Sequence, residues 1–338
     1  PNLSMGPKID AFERAFCELT GAKHAIGVNS GTAGLHLCVR AADVGVSDIV
    51  VTTPFSFVSS TNVFLFEKAI PVFVDVDPVN GNINPVLLAQ AVEDLSLGGE
   101  SARKWLPRKL PAYNRHGLGS VKAILPVDVF GQPADYDSIM ATANQYNLAV
   151  IEDSCEALGG AYKGRYAGNL GDYGVFAFYP NKQITTGEGG MIITDDEDAA
   201  DFMRALRNQG RAPGDTWLQH THLGYNYRLD EMSAALGLSQ MDRLEDLLKN
   251  RARVADWYAQ YLADIEEITP PQLVENTTRV SWFVYVVRVA ESIDRDRLAR
   301  VLEEKGVPVR PYFAPIHLQP YMIDMFGFQP GDFPVTED

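Results

Sequence analysis

The sequence predicts an α/β fold: a mostly parallel central sheet covered by helices. Three observations carry this. Short apolar runs that read as buried strands alternate with stretches of helical spacing, the pattern of βαβ units. The clearest unit runs from a strand at Val121–Val127, through a helix at Tyr136–Tyr146, to a second strand at Leu148–Ile151. The chain has 338 residues, 46% of them apolar, which suffices for a large core and for about two domains at roughly 100–200 residues each.

Taken in order, Asp10–Leu19 carries Phe12, Phe16 and Leu19 at helical spacing. His24–Val28 reads as a strand and Gly31–Ala42 as the helix that follows. Ile49–Thr52 and Val72–Val76 read as buried strands, the second closed by the turn signal Asp75–Pro78. Pro85–Leu95 resumes helical spacing. Residues 96–120 break the pattern, being basic and rich in Gly and Pro. They read as a surface insertion, either a plain loop or a contact for substrate or partner. Their Arg103, Lys104, Arg108, Lys109 and Arg115 form the strongest positive patch in the sequence. Leu229–Leu248 is a long amphipathic helix that Gly237 is expected to break. Val280–Val289 reads as a strand, Asp294–Lys305 as a helix and Val307–Tyr312 as extended. The expected division is a large domain over residues 1–248 and a small α/β domain over residues 249–338. The closing FPVTED is turn-like with no final helix, so the small domain is expected to be incomplete.

The charge is acidic: 29 Lys and Arg against 44 Asp and Glu give −15. That balance argues against nucleic acid as a partner, because phosphate backbones select clustered basic residues. A small phosphorylated ligand stays compatible with it. No stretch reaches the ~20 uninterrupted apolar residues of a membrane helix, so no membrane partner is expected. Cys17, Cys38 and Cys155 form no CxxC and cannot all pair, which points to a reducing compartment. No signal-peptide pattern is visible. The expected location is cytoplasmic, and no metal site is expected.

Four stretches carry chemistry. In FAFYPNKQITTGEGGMIIT, residues 176–194, a strand ends near Tyr179 and Lys182 follows in a turn. Open α/β sheets place ligands beyond the carboxyl ends of their strands. A desolvated amine there loses its proton more readily and can form a Schiff base with a carbonyl. Taken alone, Lys182 reads more readily as a solvated turn lysine. In VIEDSCEALGG, residues 150–160, a buried strand ends at Glu152 and Asp153. A carboxylate there can hold a pyridinium nitrogen protonated, although Asp153 and Ser154 also suit a helix N-cap. In GVNSGTAGLHL, residues 27–37, a strand leads through Ser30, Gly31 and Thr32 into a helix whose first N–H groups can bind an anion. In TPFSFVSST, residues 53–61, Phe55 and Phe57 are two apart, so only one can face a site and stack on a flat ring. Core packing is its more ordinary use.

The order of anion turn, aromatic, carboxylate and lysine is that of a pyridoxal phosphate site. With SGTAGLHL, TPFSFVSS, PVFVDVDP, VFGQPADYDSI, VIEDSCEALGG, FYPNKQITTGEGG, LGYNYRLDEMSAALGLSQ and PYFAPIHLQP, the chain resembles the DegT/StrS family of sugar aminotransferases from about Met5 to its end. These are fold type I pyridoxal phosphate enzymes. The resemblance implies that Lys182 carries the internal aldimine and shuttles the proton, and that Asp153 holds the pyridine nitrogen. It implies that Phe57 stacks on the ring and that Gly31, Thr32 and Ala33 cradle the phosphate. Glu156 falls where the family usually has Gln or His near the cofactor hydroxyl; a carboxylate there is a departure, or would have to be protonated. Asn226 is implied to reach the phosphate of a neighbouring subunit's cofactor in a homodimer with shared sites. Arg228 competes for that contact or lies on the substrate side. Tyr312 and His317 match a substrate-facing segment, with ordinary loop packing as the alternative. Ala177 replaces a serine that commonly binds the phosphate.

The implied reaction moves an amino group from an amino acid, glutamate, to a keto group of a nucleotide-linked sugar, as in amino-sugar and polysaccharide biosynthesis. Lysine at 182 favours amino transfer over the dehydration performed by relatives with histidine there. Keto-inositol amination, deoxysugar dehydration and a cofactor-binding regulatory role are the alternatives.

Overall fold

The computed structural model describes residues 3–114 and 117–338. Its centre is a seven-stranded sheet. In chain order, helix α1 (Pro7–Thr20) leads to strand β1 (His24–Val28), α2 (Gly31–Ala41), β2 (Ile49–Thr52), α3 (Ser59–Leu65) and β3 (Ile70–Phe73). Next come α4 (Pro85–Leu97), α5 (Gly99–Arg103), β4 (Val121–Leu125), α6 (Tyr136–Tyr146) and β5 (Ala149–Asp153). A small ribbon, β6 (Ala161–Tyr162) and β7 (Arg165–Tyr166), precedes β8 (Tyr173–Ala177), β9 (Gly190–Thr194) and α7 (Glu197–Arg207). The strand order is β1-β9-β8-β5-β4-β2-β3. Strands β3, β2, β4, β5 and β8 pair in parallel, while β9 is antiparallel to both β8 and β1.

Both faces of the sheet are covered, as its near-continuous apolar strands require. Alternation along each strand sorts the side chains. Val50, Leu125, Val175 and Ile192 face α2 and α7 in one core. Val51, Ile124 and Val150 face the other way, onto Leu88 and Val92 of α4 and Ile139 of α6. Phe176 and Ile193 meet Phe12 and Phe16 of α1 in a third cluster. All three parallel-sheet strands expected at residues 49–52, 121–127 and 148–151 are present. The strand expected at Val72–Val76 is shifted back to Ile70–Phe73, because β3 pairs with β2 from Ile49 onward.

The remainder departs from the sequence reading in instructive ways. Helix α8 (Glu231–Met241) runs unbroken through Gly237, and the break falls at Asp242 and Arg243 before α9 (Leu244–Leu262). Gly237 instead permits close packing: a Cβ there would lie 2.5 Å from the Phe12 ring. Helix α9 also runs through residue 248, where a domain boundary was expected. Past it come β10 (Ile268–Thr269), β11 (Thr277–Arg279), β12 (Arg288–Val289) and α10 (Arg295–Glu304). Of Val280–Val289, therefore, only Arg288 and Val289 lie in a strand, β12. The Ser281 and Phe283 N–H groups donate to the carbonyls of Gly131 and Phe130, and both side chains are buried beside the site. Trp282 between them turns into the left-handed region at φ 50°.

The C-terminal residues end in α11 (Pro320–Phe326) and α12 (Pro334–Glu337), so the closing segment does contain a helix. Ile316, Met322, Phe326 and Phe328 pack on Phe73 of the central sheet. Asp75 accepts the Val335 and Thr336 N–H groups and the Thr336 hydroxyl. The basic segment is not a free cationic patch. Arg103 pairs with Glu100, Lys104 with Asp94, Arg108 with Asp332 and Lys109 with Asp324. Part of the segment is helical, as α5, and Trp105 and Leu106 pack onto the core below. Arg115 lies outside the described residues. No helix among the described residues is long and apolar enough to cross a membrane.

Gly237→Ala sets two effects against each other. Alanine gains up to about 1 kcal/mol of helix propensity, while overpacking against a fully buried Phe12 costs about 1–3 kcal/mol. A net loss is expected in urea unfolding; a variant more stable than the parent would refute the close-packing account.

Candidate active site

The site lies beyond the carboxyl ends of β5 and β8, where the sheet's ligand crevice is expected. Asp153 closes β5 and is 5% exposed. Its Oδ2 accepts from the buried Ser60 hydroxyl at 2.6 Å, and its Oδ1 from the Cys155 N–H at 3.2 Å. Its backbone is fixed on both sides: the N–H donates to the Pro126 carbonyl, and the carbonyl accepts from Asp128. Asp153 is thus a carboxylate held in a set direction.

Lys182 follows β8 in a turn stapled by its N–H to the Tyr179 carbonyl. Its Nζ lies 3.4 Å from Glu156 Oε1 and 4.0 Å from the centroid of the Phe283 ring. The amine is largely buried, so it is not a solvated turn lysine. Glu156 Oε2 accepts the Phe130 N–H at 3.1 Å. Burial pushes the Glu156 carboxyl upward, opposed by the Lys182 charge.

The cradle forms at the start of α2. Ser30 caps the helix by accepting the Ala33 N–H at 3.0 Å. Ala33's N–H is therefore already engaged, and Gly31 and Thr32 present the first N–H groups, which a helix leaves without internal partners. Gly31 is required by space: a Cβ would lie 2.8 Å from Ala177 Cβ and 2.9 Å from Cys155 Sγ. Ala177 accordingly borders the cradle but brings no hydroxyl to it.

Of the two phenylalanines, Phe55 packs edge-on against Phe130 and Phe313, while Phe57 is 63% exposed. The Phe57 carbonyl accepts the Ser60 N–H, and the Ser60 hydroxyl donates to Asp153, which links Phe57 to Asp153. Tyr312 stands edge-on to Phe130 and Phe283, on the Lys182 side. His317 is elsewhere: fully buried between Phe328 and Phe333, with Nε2 hydrogen-bonded to Glu337 at 2.9 Å. Its substrate-facing role is corrected to packing of the C-terminal segment. Asn226 is exposed, and its carbonyl accepts from Asn29, one residue before the cap. Arg228 donates to Asn208 Oδ1 at 3.0 Å.

Sequence reasoning missed Ser60, Cys155, Phe130, Phe283 and Arg251. It also missed Asp128, a fully buried carboxyl accepting from Ser154, Ala134 and Tyr136. Ser154 is thus a partner of Asp128, not a helix cap. Glu152, on the opposite face of β5 from Asp153, accepts the N–H groups of Gly168, Leu170 and Gly171. The only available signal was the crowding of acids at one strand end.

Residues 2–338 match the DegT/DnrJ/EryC1/StrS aminotransferase family. The chain is 38% identical over 320 residues to the GDP-perosamine synthase of Caulobacter vibrioides, covering 94% of this chain and 79% of that one. It is 36% identical over 345 residues to the spore coat polysaccharide biosynthesis protein SpsC of Bacillus subtilis, covering 98% and 82%. The crystal structure of a DegT DnrJ EryC1 StrS aminotransferase from Brucella abortus superposes with a TM-score of 0.86 at 32% identity, over 99% of this chain and 83% of that chain. Fold and relatives together define a pyridoxal-phosphate-dependent aminotransferase. The chain belongs to the DegT/DnrJ/EryC1/StrS aminotransferase family.

The residues present suit that cofactor. A glycine-lined helix start meets a phosphate. A desolvated carboxylate suits a ring nitrogen, and a sheltered primary amine suits an aldehyde.

Burial pushes the Asp128 carboxyl up to about 6 from an ordinary 3.8. The folded protein therefore keeps a proton that the unfolded chain has released, and stability falls as pH rises through that window. The same burial takes Glu152 to about 8, with the Asp128 charge adding to it. Asp128→Asn preserves all three hydrogen bonds, with its amide donating to Ser154. Relative to Asp128→Asn, the cofactor-free protein should lose stability in urea unfolding between about pH 4 and pH 6 by the equivalent of roughly 2 kcal/mol. Parallel profiles would refute the assignment.

Proposed function

We propose that this protein transfers an amino group from glutamate to a keto group of a nucleotide-linked sugar, with Lys182 as the reacting amine. The observation that carries the proposal is the Lys182 amine, 3.4 Å from Glu156 and sheltered by Phe283. It occurs in a chain whose relatives include a GDP-perosamine synthase and a polysaccharide biosynthesis protein.

Pyridoxal phosphate, when bound, supplies a cationic ring that withdraws electrons from the carbon beside the reacting nitrogen. Asp153 is the residue to hold that ring's nitrogen, because Ser60 and the Cys155 N–H fix its direction. Gly31 and Thr32 would take the phosphate at the start of α2, with Phe57 on the ring face. Lys182 gives up its proton to act as nucleophile, then, as a free amine, takes and returns the migrating proton at its Nζ. Glu156 is the acceptor within reach of that ammonium, and its raised affinity for protons suits it to hold one beside the cofactor hydroxyl. Phe130, Phe283 and Tyr312 exclude water from this side. In a homodimer, the exposed Asn226 or its neighbour Arg228 would complete the partner's phosphate site. Tyr312 is left to meet the substrate.

Glutamate added to the cofactor-loaded protein should bleach its visible band and release 2-oxoglutarate. A keto nucleotide sugar should then restore the band. Lys182→Ala should lower the rate of both halves by about 10²–10⁴-fold or more. A wild-type protein that takes up no pyridoxal phosphate, or whose band glutamate leaves unchanged, would defeat the proposal.

A further inference from the structure

Lys182 sits in an irregular turn with no helix or strand ladder on its carbonyl side. What holds that carbonyl comes from 69 residues away. Arg251, on α9, donates Nη2–H to the Lys182 carbonyl at 3.1 Å. Its Nη1 donates to the carbonyls of Trp282 and Phe283 at 2.9 and 3.1 Å. All three acceptors are neutral, and among the described residues no carboxylate pairs with Arg251. A half-buried guanidinium without a counter-ion is costly unless its donors are spent on something definite. Burial accordingly pulls its ionisation downward.

The same three carbonyls belong to both walls around the reacting amine. Phe283 presents its ring 4.0 Å from Lys182 Nζ. Ser281, two residues before it, donates to the Glu156 carbonyl and accepts from Gln183, the residue after Lys182. Gln183 donates to that same Glu156 carbonyl. One planar cation therefore fixes the lysine turn against the segment that shelters it, while Ser281 and Gln183 fix Glu156 to both. We infer that Arg251 is a positioning residue for Lys182: its fork sets the amine's place between Glu156 and Phe283. The inference rests on the reading of Lys182 as the reacting amine.

Lysine cannot reproduce this arrangement, because a single ammonium lacks the rigid fork that spans separate acceptors. The test compares wild type, Arg251→Lys, Arg251→Gln and Lys182→Ala, each as full chain titrated with pyridoxal phosphate. The visible band should form in wild type and be absent in Lys182→Ala; failure of that control defeats the reading of the site, and the inference with it. Where the control holds, Arg251→Lys should still form the band but with its pH midpoint displaced from wild type. Its kcat with glutamate and a keto nucleotide sugar should fall by on the order of 10²-fold while KM changes far less, the signature of a misplaced reacting group. Melting of the cofactor-free proteins separates this from general damage. If Arg251→Lys is poorly folded, Arg251→Gln, which retains an amide donor, carries the same expectations. A wild-type midpoint and kcat in a folded variant would overturn the inference. So would a loss of kcat that only tracks lost cofactor-free stability with the midpoint unmoved.

Discussion

The pairing of Lys182 with Glu156 is the constraint around which the site is built. An ammonium and a carboxylate removed from water gain from each other only when their geometry is held and their other polar atoms are satisfied. Each condition is met by a different part of the chain. Phe130 supplies an N–H to the second carboxylate oxygen. Ser281 and Gln183 bind the Glu156 carbonyl, and Phe283 closes the open side of the amine. The surroundings accept backbone strain for this: Phe130 and Trp282 both take positive φ, at 58° and 50°. For non-glycine residues that costs about 1–2 kcal/mol each. Burial raises the Glu156 carboxyl, and the Lys182 charge beside it opposes that rise.

Crowding of acids at the end of β5 would be destabilising if all were alike. The fold distinguishes them by what each accepts. Glu152 points away from the site and gathers three N–H groups of the 168–171 turn. Asp128 is sealed in with two hydroxyls and one N–H, and burial drives it toward the protonated form. Asp153 retains a directed carboxylate beside Ser60. Burial raises both Asp128 and Glu152, so the acids behind Asp153 carry less negative charge than free carboxyls would.

Much of this was legible in the sequence, for a physical reason. Strands buried on both faces are apolar throughout, so β1, β2, β4 and β5 announced themselves locally, whereas Asp153 and Lys182 gained their reading only from the order of the motifs along the chain. Helical spacing located α2 and α6 to within a residue. What stayed hidden depends on distant partners. Ser60 lies 93 residues from Asp153, and Arg251 lies 69 from Lys182. Gly237 reads as a helix breaker in isolation and becomes a packing contact only once Phe12 is placed beneath it. Val280–Val289 has the apolar run of a strand, yet Ser281 and Phe283 are spent on the site and only Arg288 and Val289 join a ladder. The basic segment left a substrate or partner contact open beside a plain loop because its acidic partners, Asp324 and Asp332, lie over 200 residues later.

Those late partners also bear on how far the site is preformed. Tyr312 and Phe283 belong to the C-terminal part of the chain, yet both of its ends are tied to the central sheet. At one end, α9 runs without interruption past residue 248, and Arg251 binds the lysine turn. At the other, Phe326 and Phe328 pack on Phe73, Asp75 accepts from Thr336, and Arg108 pairs with Asp332. A wall anchored at both ends loses less conformational freedom when substrate arrives than a hinged flap does. Shelter for the Lys182 amine is therefore supplied by folding itself, and binding energy remains for orienting the sugar.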